Sequence, residues 1–144
     1  MKIVLDTNVL GSALIEGDPL RETALRFLDA VDRGGHTVYL PTVVVAELGV
    51  AFLQTGSTAE WAAFMALLRQ GQRYRSLPLD LDLADAAARI RSRHRLKLPD
   101  AIVAASAVSA GADLLVSDDP DLRKVKGVVN VKTVRRALAA VLAA

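Results

Sequence analysis

The sequence has no cysteine, only two histidines and few aromatic residues, namely one Trp, two Tyr and three Phe. Without cysteine the chain cannot build a disulfide framework, a zinc knuckle or a thiolate nucleophile, and a reducing, cytoplasmic compartment is the expected setting. No GxxxxGKS, GxxxxGKT or GxGxxG motif occurs, which argues against nucleoside triphosphate chemistry and Rossmann-type dinucleotide binding. Neither histidine lies in a recognisable catalytic triad context, and we expect both His36 and His94 to be plain surface residues.

Long hydrophobic runs are also missing. The longest uncharged stretches span about a dozen residues, whereas a membrane-spanning helix needs about 18. The apolar start of the chain is interrupted by Asp6, so no signal peptide is expected. The sequence therefore predicts a protein of the cytoplasm with no membrane partner.

What the chain does have is apolar material and balanced charge. Of its 144 residues, 52% are hydrophobic, and 18 Lys and Arg stand against 16 Asp and Glu. This composition predicts one globular domain over residues 1–144. Basic residues crowd two segments, 89–97 and 123–126; each cluster by itself is accounted for equally well by a solvated helix face.

Strand-like and helix-like segments alternate along the chain. Short apolar runs predict strands at 2–5, 36–40, 113–116 and 128–131, with a further short candidate at 73–79. Amphipathic or small-residue segments predict helices from about residue 8, at 19–32, after residue 41, at 58–69, 82–95, 99–111 and 133–142. This alternation is typical of an α/β fold with a central, mostly parallel β-sheet flanked by helices.

Four acidic residues stand in apolar surroundings, where a carboxylate is costly unless it is paired or binds a cation. Each also has a plain structural explanation: Asp6, Asp100 and Asp119 could cap a helix or a turn. Glu47, the only charge between His36 and Glu60, could be a buried partner of a basic residue.

Their joint placement favours another interpretation. Asp6 and Asp119 each follow a predicted strand, Glu47 lies shortly after a third strand, and Asp100 begins a helix. Because ligands bind at the carboxyl ends of strands in parallel sheets, the four should converge on one rim. Uncompensated carboxylates would raise one another's pKa, and a divalent cation resolves this; oxygen ligands favour Mg²⁺ or Mn²⁺.

Such a site fits phosphodiester chemistry. Setting four acids aside in a metal pocket leaves 18 basic residues against 12 acidic ones, a surface suited to a polyanion. Divalent cations activate water and stabilise the attacking and leaving oxygens, while basic residues hold phosphates.

Four segments then define a resemblance: LDTN at 5–8, AEL at 46–48, LPDAIVAASA at 98–107 and LLVSDDPDL at 114–122. In order and spacing they resemble the signature blocks of the PIN-domain ribonucleases, in particular the VapC-type toxins of toxin–antitoxin modules. The resemblance covers essentially the whole chain and implies a single PIN-like nuclease domain. Ser117 stands where the family usually has Thr, and Leu122 where it often has Phe.

The resemblance also implies roles for residues. Asp6, Glu47, Asp100 and Asp119 would be the catalytic acids that hold Mg²⁺ or Mn²⁺, with Asp118 or Asp121 as alternatives for the fourth ligand. Asn8 and Ser117 would orient the carboxylates, together with Asp121. Arg93 and Arg95 are the candidates for RNA contacts. Family members are metal-dependent endoribonucleases that typically form homodimers and are silenced by a small antitoxin protein.

Three alternatives stay open at this point. A free-standing PIN nuclease in RNA maturation would carry the same four segments. A Mg²⁺-binding phosphoacceptor module also places acids at a sheet edge, although it would need paired acids after the first strand, and Asp6 is alone there. A non-catalytic binding module is the third alternative.

Overall fold

A computed structural model describes residues 1–144 and contains five strands and seven α-helices. The strands are β1 (Lys2–Leu5), β2 (Thr37–Pro41), β3 (Tyr74–Leu77), β4 (Leu114–Val116) and β5 (Val131–Lys132). The helices are α1 (Thr7–Leu14), α2 (Arg21–Arg33), α3 (Thr42–Gln54), α4 (Thr58–Gln70), α5 (Leu81–His94), α6 (Leu98–Ser109) and α7 (Val134–Ala143), with a 3-10 helix at Pro120–Val125.

The sheet confirms the predicted α/β class, and all of its strand pairs are parallel. The strand order is β3-β2-β1-β4-β5. The chain winds outward from β1 in one direction through β2 and β3, and then in the other through β4 and β5. The crevice between the carboxyl ends of β1 and β4 is therefore the topological switch point, where open α/β sheets place their ligands.

The core fills the space between sheet and helices. β1 is buried from its second residue onward, β4 along its whole length, and α6 over eight consecutive residues, Asp100 to Ala107. The side chains of α6 are small, so the helix lies close against β1, β2 and β4. This close packing holds the N-terminal end of α6 beside the switch point.

Several predicted boundaries move by a few residues. The second helix begins at Arg21, not at Pro19, because Asp18 forms a turn by accepting hydrogen bonds from the backbone of Leu20 and Arg21. The last strand is confined to Val131–Lys132 because the turn that follows the 3-10 helix occupies the residues predicted to start it, with the backbone N–H groups of Val128 and Val129 both donating to the Val125 carbonyl.

The prediction of a surface position for His36 is wrong. The side chain is buried, and its Nδ1 lies 2.8 Å from the amino group of Met1. Burial and the neighbouring amino group lower the pKa of His36. His94, at the end of α5, is half-buried.

The outer surface of α3 and α4 is apolar. Val50 and Leu53 are exposed, and the rings of Phe52, Trp61 and Phe64 stack or tilt against one another with centroids 5.8 to 6.3 Å apart. Gly49 makes this packing possible, because a Cβ there would lie 2.8 Å from Trp61. None of the helices combines the length and the apolar character that a bilayer crossing requires.

Candidate metal centre

Asp6 lies at the switch point, directly after β1, and is buried. Its Oδ1 accepts a hydrogen bond of 2.8 Å from the Thr7 backbone N–H, so Asp6 caps α1 as the structural explanation predicted. Its Oδ2 accepts from Asn8 Nδ2 at 3.0 Å and from Ser117 Oγ at 2.7 Å. Both oxygens of this buried carboxylate are thus satisfied by the protein.

Asn8 and Ser117 join Asp6 to the loop after β4. Asn8 Nδ2 also donates to Ser117 Oγ at 3.0 Å, and Asn8 Oδ1 accepts from the Asp118 backbone N–H at 3.1 Å. Ser117 Oγ accepts from the Asp119 backbone N–H at 3.1 Å. We call Asp6, Asn8 and Ser117 the hydrogen-bonded network. It fixes the backbone that carries Asp119 relative to the end of β1.

A second group of carboxylates lies beside this network. Single oxygens of Asp100, Asp119 and Asp121 all fall within 4.8 Å of one another; we call these residues the acidic trio. Asp100 is buried in the first turn of α6, whereas Asp119 and Asp121 are half-buried. Asp119 Oδ1 also accepts from the Asp121 backbone N–H at 2.9 Å, which caps the 3-10 helix and brings Asp121 toward Asp119.

The negative charge of the acidic trio is only partly offset by neighbouring lysines. Burial, together with the negative charges of Asp119, Asp6 and Asp121, raises the pKa of Asp100 to about 6, and Lys97 opposes this rise only in part. Burial also raises the pKa of Asp6, with a further contribution from Asp119, against the hydrogen bonds that it accepts. One ion pair reaches the trio, from Lys124 to Asp121 at 3.8 Å, and it is largely exposed.

Glu47 lies apart from the acidic trio. It is exposed on α3, and its Oε1 accepts a hydrogen bond of 3.1 Å from Thr7 Oγ1. The alternative of a buried ion pair for Glu47 is therefore wrong: the helix around it is uncharged because its outer face is apolar, not because it is buried. Thr7, which the sequence analysis did not single out, connects Glu47 to the start of α1.

Arg93 and Arg95 are both exposed at the end of α5. Arg95 ends this helix in a left-handed conformation with φ 54°, the only non-glycine residue with positive φ in the chain. Arg93 and Arg89 line one shallow depression, and Arg91 and Arg95 line another. These four exposed arginines, which we call the arginine ridge, precede Lys97 and α6 in the chain.

The donor atoms fit a hard divalent cation. Two buried carboxylate oxygens have no hydrogen-bond partner, Oδ2 of Asp100 and Oδ2 of Asp118, although such atoms ordinarily find one. Of these two residues, Asp100 belongs to a group of three carboxylates, the all-oxygen donor set that Mg²⁺ and Mn²⁺ prefer. A cation held there would satisfy Asp100 Oδ2 and offset the mutual repulsion. The fold and this group define an α/β protein with three carboxylates at its switch point that have the donor atoms for a divalent metal ion.

Comparison with known proteins identifies the family. A sequence profile of the PIN domain matches residues 3–128. The chain belongs to the PIN-domain family. No curated protein is similar enough in sequence to count as a relative.

Solved structures of toxin–antitoxin proteins share the fold. FitAcB from Neisseria gonorrhoeae is 28% identical, with a TM-score of 0.65 over 90% of this chain and 95% of that chain. VapBC2 from Rickettsia felis, bound to a DNA fragment from its promoter, is 14% identical, with a TM-score of 0.69 over 92% and 98%. VapC20 of Mycobacterium tuberculosis, described as a sarcin-ricin-loop-cleaving toxin, is 21% identical, with a TM-score of 0.69 over 84% and 92%.

Proposed function

We propose that this protein is a nuclease of the toxin–antitoxin class, an endoribonuclease that depends on Mg²⁺ or Mn²⁺. The observation that carries the proposal is the unpartnered, buried Oδ2 of Asp100 within the acidic trio. An unpaired buried carboxylate destabilises the fold, so its position at the switch point has its explanation in a bound ligand. Membership of the PIN-domain family and the likeness to VapC-type toxins support the same activity.

In this proposal Asp100 and Asp119 hold the cation, with Asp121 beside them and Asp6 as the fourth acid. A divalent cation there supplies an activated water and stabilises charge on the attacking and leaving oxygens. The protein contributes geometry: Asn8 and Ser117 hold Asp6 and the loop after β4 in place. Such supporting hydrogen bonds preserve the orientation on which carboxylate ligands depend.

Glu47 is proposed to act at the outer rim of the same site. Its hydrogen bond with Thr7 keeps its carboxylate near the start of α1, and its exposure on α3 leaves it accessible to an RNA strand that crosses the switch point. Arg93 and Arg95 are proposed to contact the backbone of that strand, since exposed guanidinium groups bind phosphates bidentately.

An antitoxin protein is proposed as the partner that covers the apolar surface between α1, α2, α3 and α4. A cavity of about 160 Å³ there is lined only by hydrophobic residues: Leu10, Ala13, Leu14, Leu25, Leu28, Leu48, Phe52 and Phe64. Of this lining Leu14 and Leu25 are exposed, as is Leu53 on α3. A contiguous exposed apolar surface marks an interaction site, and an amphipathic antitoxin helix has matching chemistry.

The nuclease proposal is tested by incubating total cellular RNA with purified protein and Mg²⁺ or Mn²⁺. Parallel reactions contain EDTA, or the variants Asp6→Asn and Asp100→Asn, and an Asp82→Asn variant serves as a surface control. We expect discrete fragments from the wild type and from Asp82→Asn, and none from the other three reactions. Absence of cleavage by inhibitor-free protein, or cleavage that persists in EDTA, would contradict the proposal.

The partner proposal is tested by searching the genome immediately upstream for a small gene and co-expressing its product with this protein. We expect a complex that suppresses cleavage and that Leu14→Asp disrupts, with Leu81→Asp as a control because Leu81 is exposed far from this cavity. Light scattering of the isolated protein tests the expected homodimer. A complex equally sensitive to both substitutions would contradict the proposed docking surface.

A further inference from the structure

A second concave feature lies next to the metal centre. Between β5, α7 and the 3-10 helix is a cavity of about 210 Å³, large enough for roughly seven water molecules at about 30 Å³ each. Four of the residues that line it are cationic and two carry hydroxyls: Arg123, Lys126, Lys132, Arg136, Ser117 and Thr133. We call it the basic cavity. It has room for a phosphate group.

The cations of the basic cavity lack counter-charges. The ion pairs of the protein involve Arg33, Arg73, Arg89 and Lys124, none of which lines this cavity. Asp118, in the loop between β4 and the 3-10 helix, forms no ion pair with these cations; its Oδ1 accepts from the Val134 backbone N–H in the first turn of α7, and its Oδ2 is buried without a hydrogen-bond partner. Four unpaired cations around one cavity repel one another, and an anion of two or three oxygens relieves that repulsion.

Ser117 connects the basic cavity to the acids. The residue lines the cavity and at the same time donates to Asp6 Oδ2 at 2.7 Å. Its backbone N–H pairs with the Lys132 carbonyl at 3.0 Å, which fixes β5 and the start of α7 beside β4. Ser117 therefore belongs both to the lining of the basic cavity and to the hydrogen-bonded network beside the acidic trio.

We propose that the basic cavity binds a backbone phosphate of the RNA strand next to the phosphodiester that is cut. The proposal rests on the function proposed above, because it takes RNA as the substrate. In this proposal the RNA strand runs along the sheet edge from the acidic trio toward β5. When one phosphodiester lies at the acids, the next phosphate of the strand then lies at the basic cavity. Cations and hydroxyls supply the donors that a phosphate accepts from.

The basic cavity differs from the arginine ridge on α5. Arg89, Arg91, Arg93 and Arg95 line open depressions, and Arg89 is paired with Asp85 at 2.9 Å. In the basic cavity, cations from three separate segments converge, which requires the tertiary fold. We assign one phosphate at a fixed position to the basic cavity, whereas the arginine ridge attracts the RNA backbone without fixing a particular phosphate.

The test is binding of a fluorescein-labelled single-stranded RNA of twelve nucleotides, measured by anisotropy in EDTA over a series of salt concentrations. Cleavage plays no part under these conditions. We expect Arg136→Gln to weaken binding about tenfold and to lower the salt-dependence slope by about 0.7, the value for one phosphate contact on a single strand. Arg136→Lys should restore most of the binding.

The matched control is Arg135→Gln, since Arg135 is exposed on the same turn of α7 but does not line the basic cavity. We expect less than a twofold change, with thermal unfolding of both variants unchanged. Equal losses from Arg135→Gln and Arg136→Gln would overturn the proposal in favour of general surface charge. A loss seen for an acidic peptide but not for RNA would overturn it in favour of a protein ligand.

The two proposals fail separately. If wild-type protein cuts no RNA but Arg136→Gln selectively weakens RNA binding, the cavity is an RNA phosphate site, and its assignment beside a cut phosphodiester falls with the nuclease function. If cleavage requires Asp100 while Arg136→Gln and Arg135→Gln bind RNA alike, the nuclease stands and the phosphate site falls.

Discussion

Asp6 and Asp100 are both buried carboxylates at the switch point, but their surroundings differ. Asp6 lies in the hydrogen-bonded network, where Thr7, Asn8 and Ser117 satisfy both of its oxygens. Asp100 lies in the acidic trio, where its buried Oδ2 has no partner and its nearest charges are other carboxylates. The first arrangement is complete without a ligand, and the second is not.

The difference separates two roles that the sequence does not distinguish, a structural carboxylate and a cation ligand. A satisfied carboxylate can hold two strands and a loop together, and removing its partners should loosen that geometry. An unsatisfied one should be unfavourable in the metal-free protein and favourable once a cation binds. Substitutions of Asp100, Ser117 and Glu47 test this difference.

The largest effect is expected from Asp100→Asn. Loss of a cation ligand removes several kcal/mol of transition-state stabilisation, and about 4 kcal/mol corresponds to a roughly thousandfold decrease in kcat/KM. Initial rates on a defined RNA, compared with Asp82→Asn, measure it. A decrease of less than tenfold would place the chemistry outside the acidic trio.

Ser117→Ala should have the next largest effect. The hydroxyl touches Asp6 and the Asp119 backbone, and loss of a group that orients ligands typically decreases activity by about 10- to 100-fold. It should also lower the free energy of unfolding by about 1 to 2 kcal/mol, because Asp6 loses a partner while buried. Ser117→Thr keeps the hydroxyl and should retain most activity; equal loss in both variants would contradict an orienting role.

Glu47→Gln should decrease kcat/KM by about tenfold, the loss of about 1.4 kcal/mol. Glu47 is exposed and outside the acidic trio, so its charge is screened by solvent and contributes less than that of Asp100. Assays of Glu47→Gln and Glu60→Gln side by side measure the difference. A loss as large as that of Asp100→Asn would make Glu47 an equal ligand.

The smallest effect concerns stability and has a defined sign. The pKa of Asp100 is about 6 in the folded protein against 3.8 in the unfolded chain, so the folded state binds more protons between these values. The contribution of Asp100 to the free energy of unfolding therefore falls as pH rises through about 6. In EDTA, Asp100→Asn should stabilise the protein by about 1 kcal/mol at pH 7.5, after allowance for solvent screening, and by less at pH 4.5.

Thermal unfolding in EDTA at both pH values measures this effect, which corresponds to a Tm increase of about 3 °C for a chain of this size. Addition of Mn²⁺ should reverse the order of the two proteins, because only the wild type gains from binding. If Asp100→Asn is destabilising to the same extent at both pH values, Asp100 is not under electrostatic strain.

Much of the fold could be predicted from the sequence because its signals are local. Alternating apolar runs and amphipathic segments predict a parallel α/β sheet, and the strand ends then put Asp6 and Asp119 on one edge. The small side chains of 99–111 predict a buried helix with Asp100 in its first turn; the structure confirms this helix, with bounds Leu98–Ser109.

The rest depends on contacts that no local pattern reveals. Asp121 joins Asp119 because the 3-10 helix turns the chain back, a geometry set by the Asp119 cap. Glu47 is exposed on a helix whose outward-facing residues Val50 and Leu53 are apolar, a pattern that sequence analysis interprets as burial. His36 is buried because the chain start folds over it. The basic cavity draws cations from three segments and has no sequence motif.

The most direct measurement of the central claim is Mn²⁺ binding to the metal-free protein, followed by calorimetry or by electron paramagnetic resonance. The account predicts saturable binding to the wild type and to Asp82→Asn, strong weakening in Asp100→Asn, and weakening in Asp119→Asn and Asp121→Asn. Competition by Mg²⁺ should displace the ion. Binding to Asp100→Asn with wild-type affinity, or no binding to the wild type, would contradict a cation site at the acidic trio.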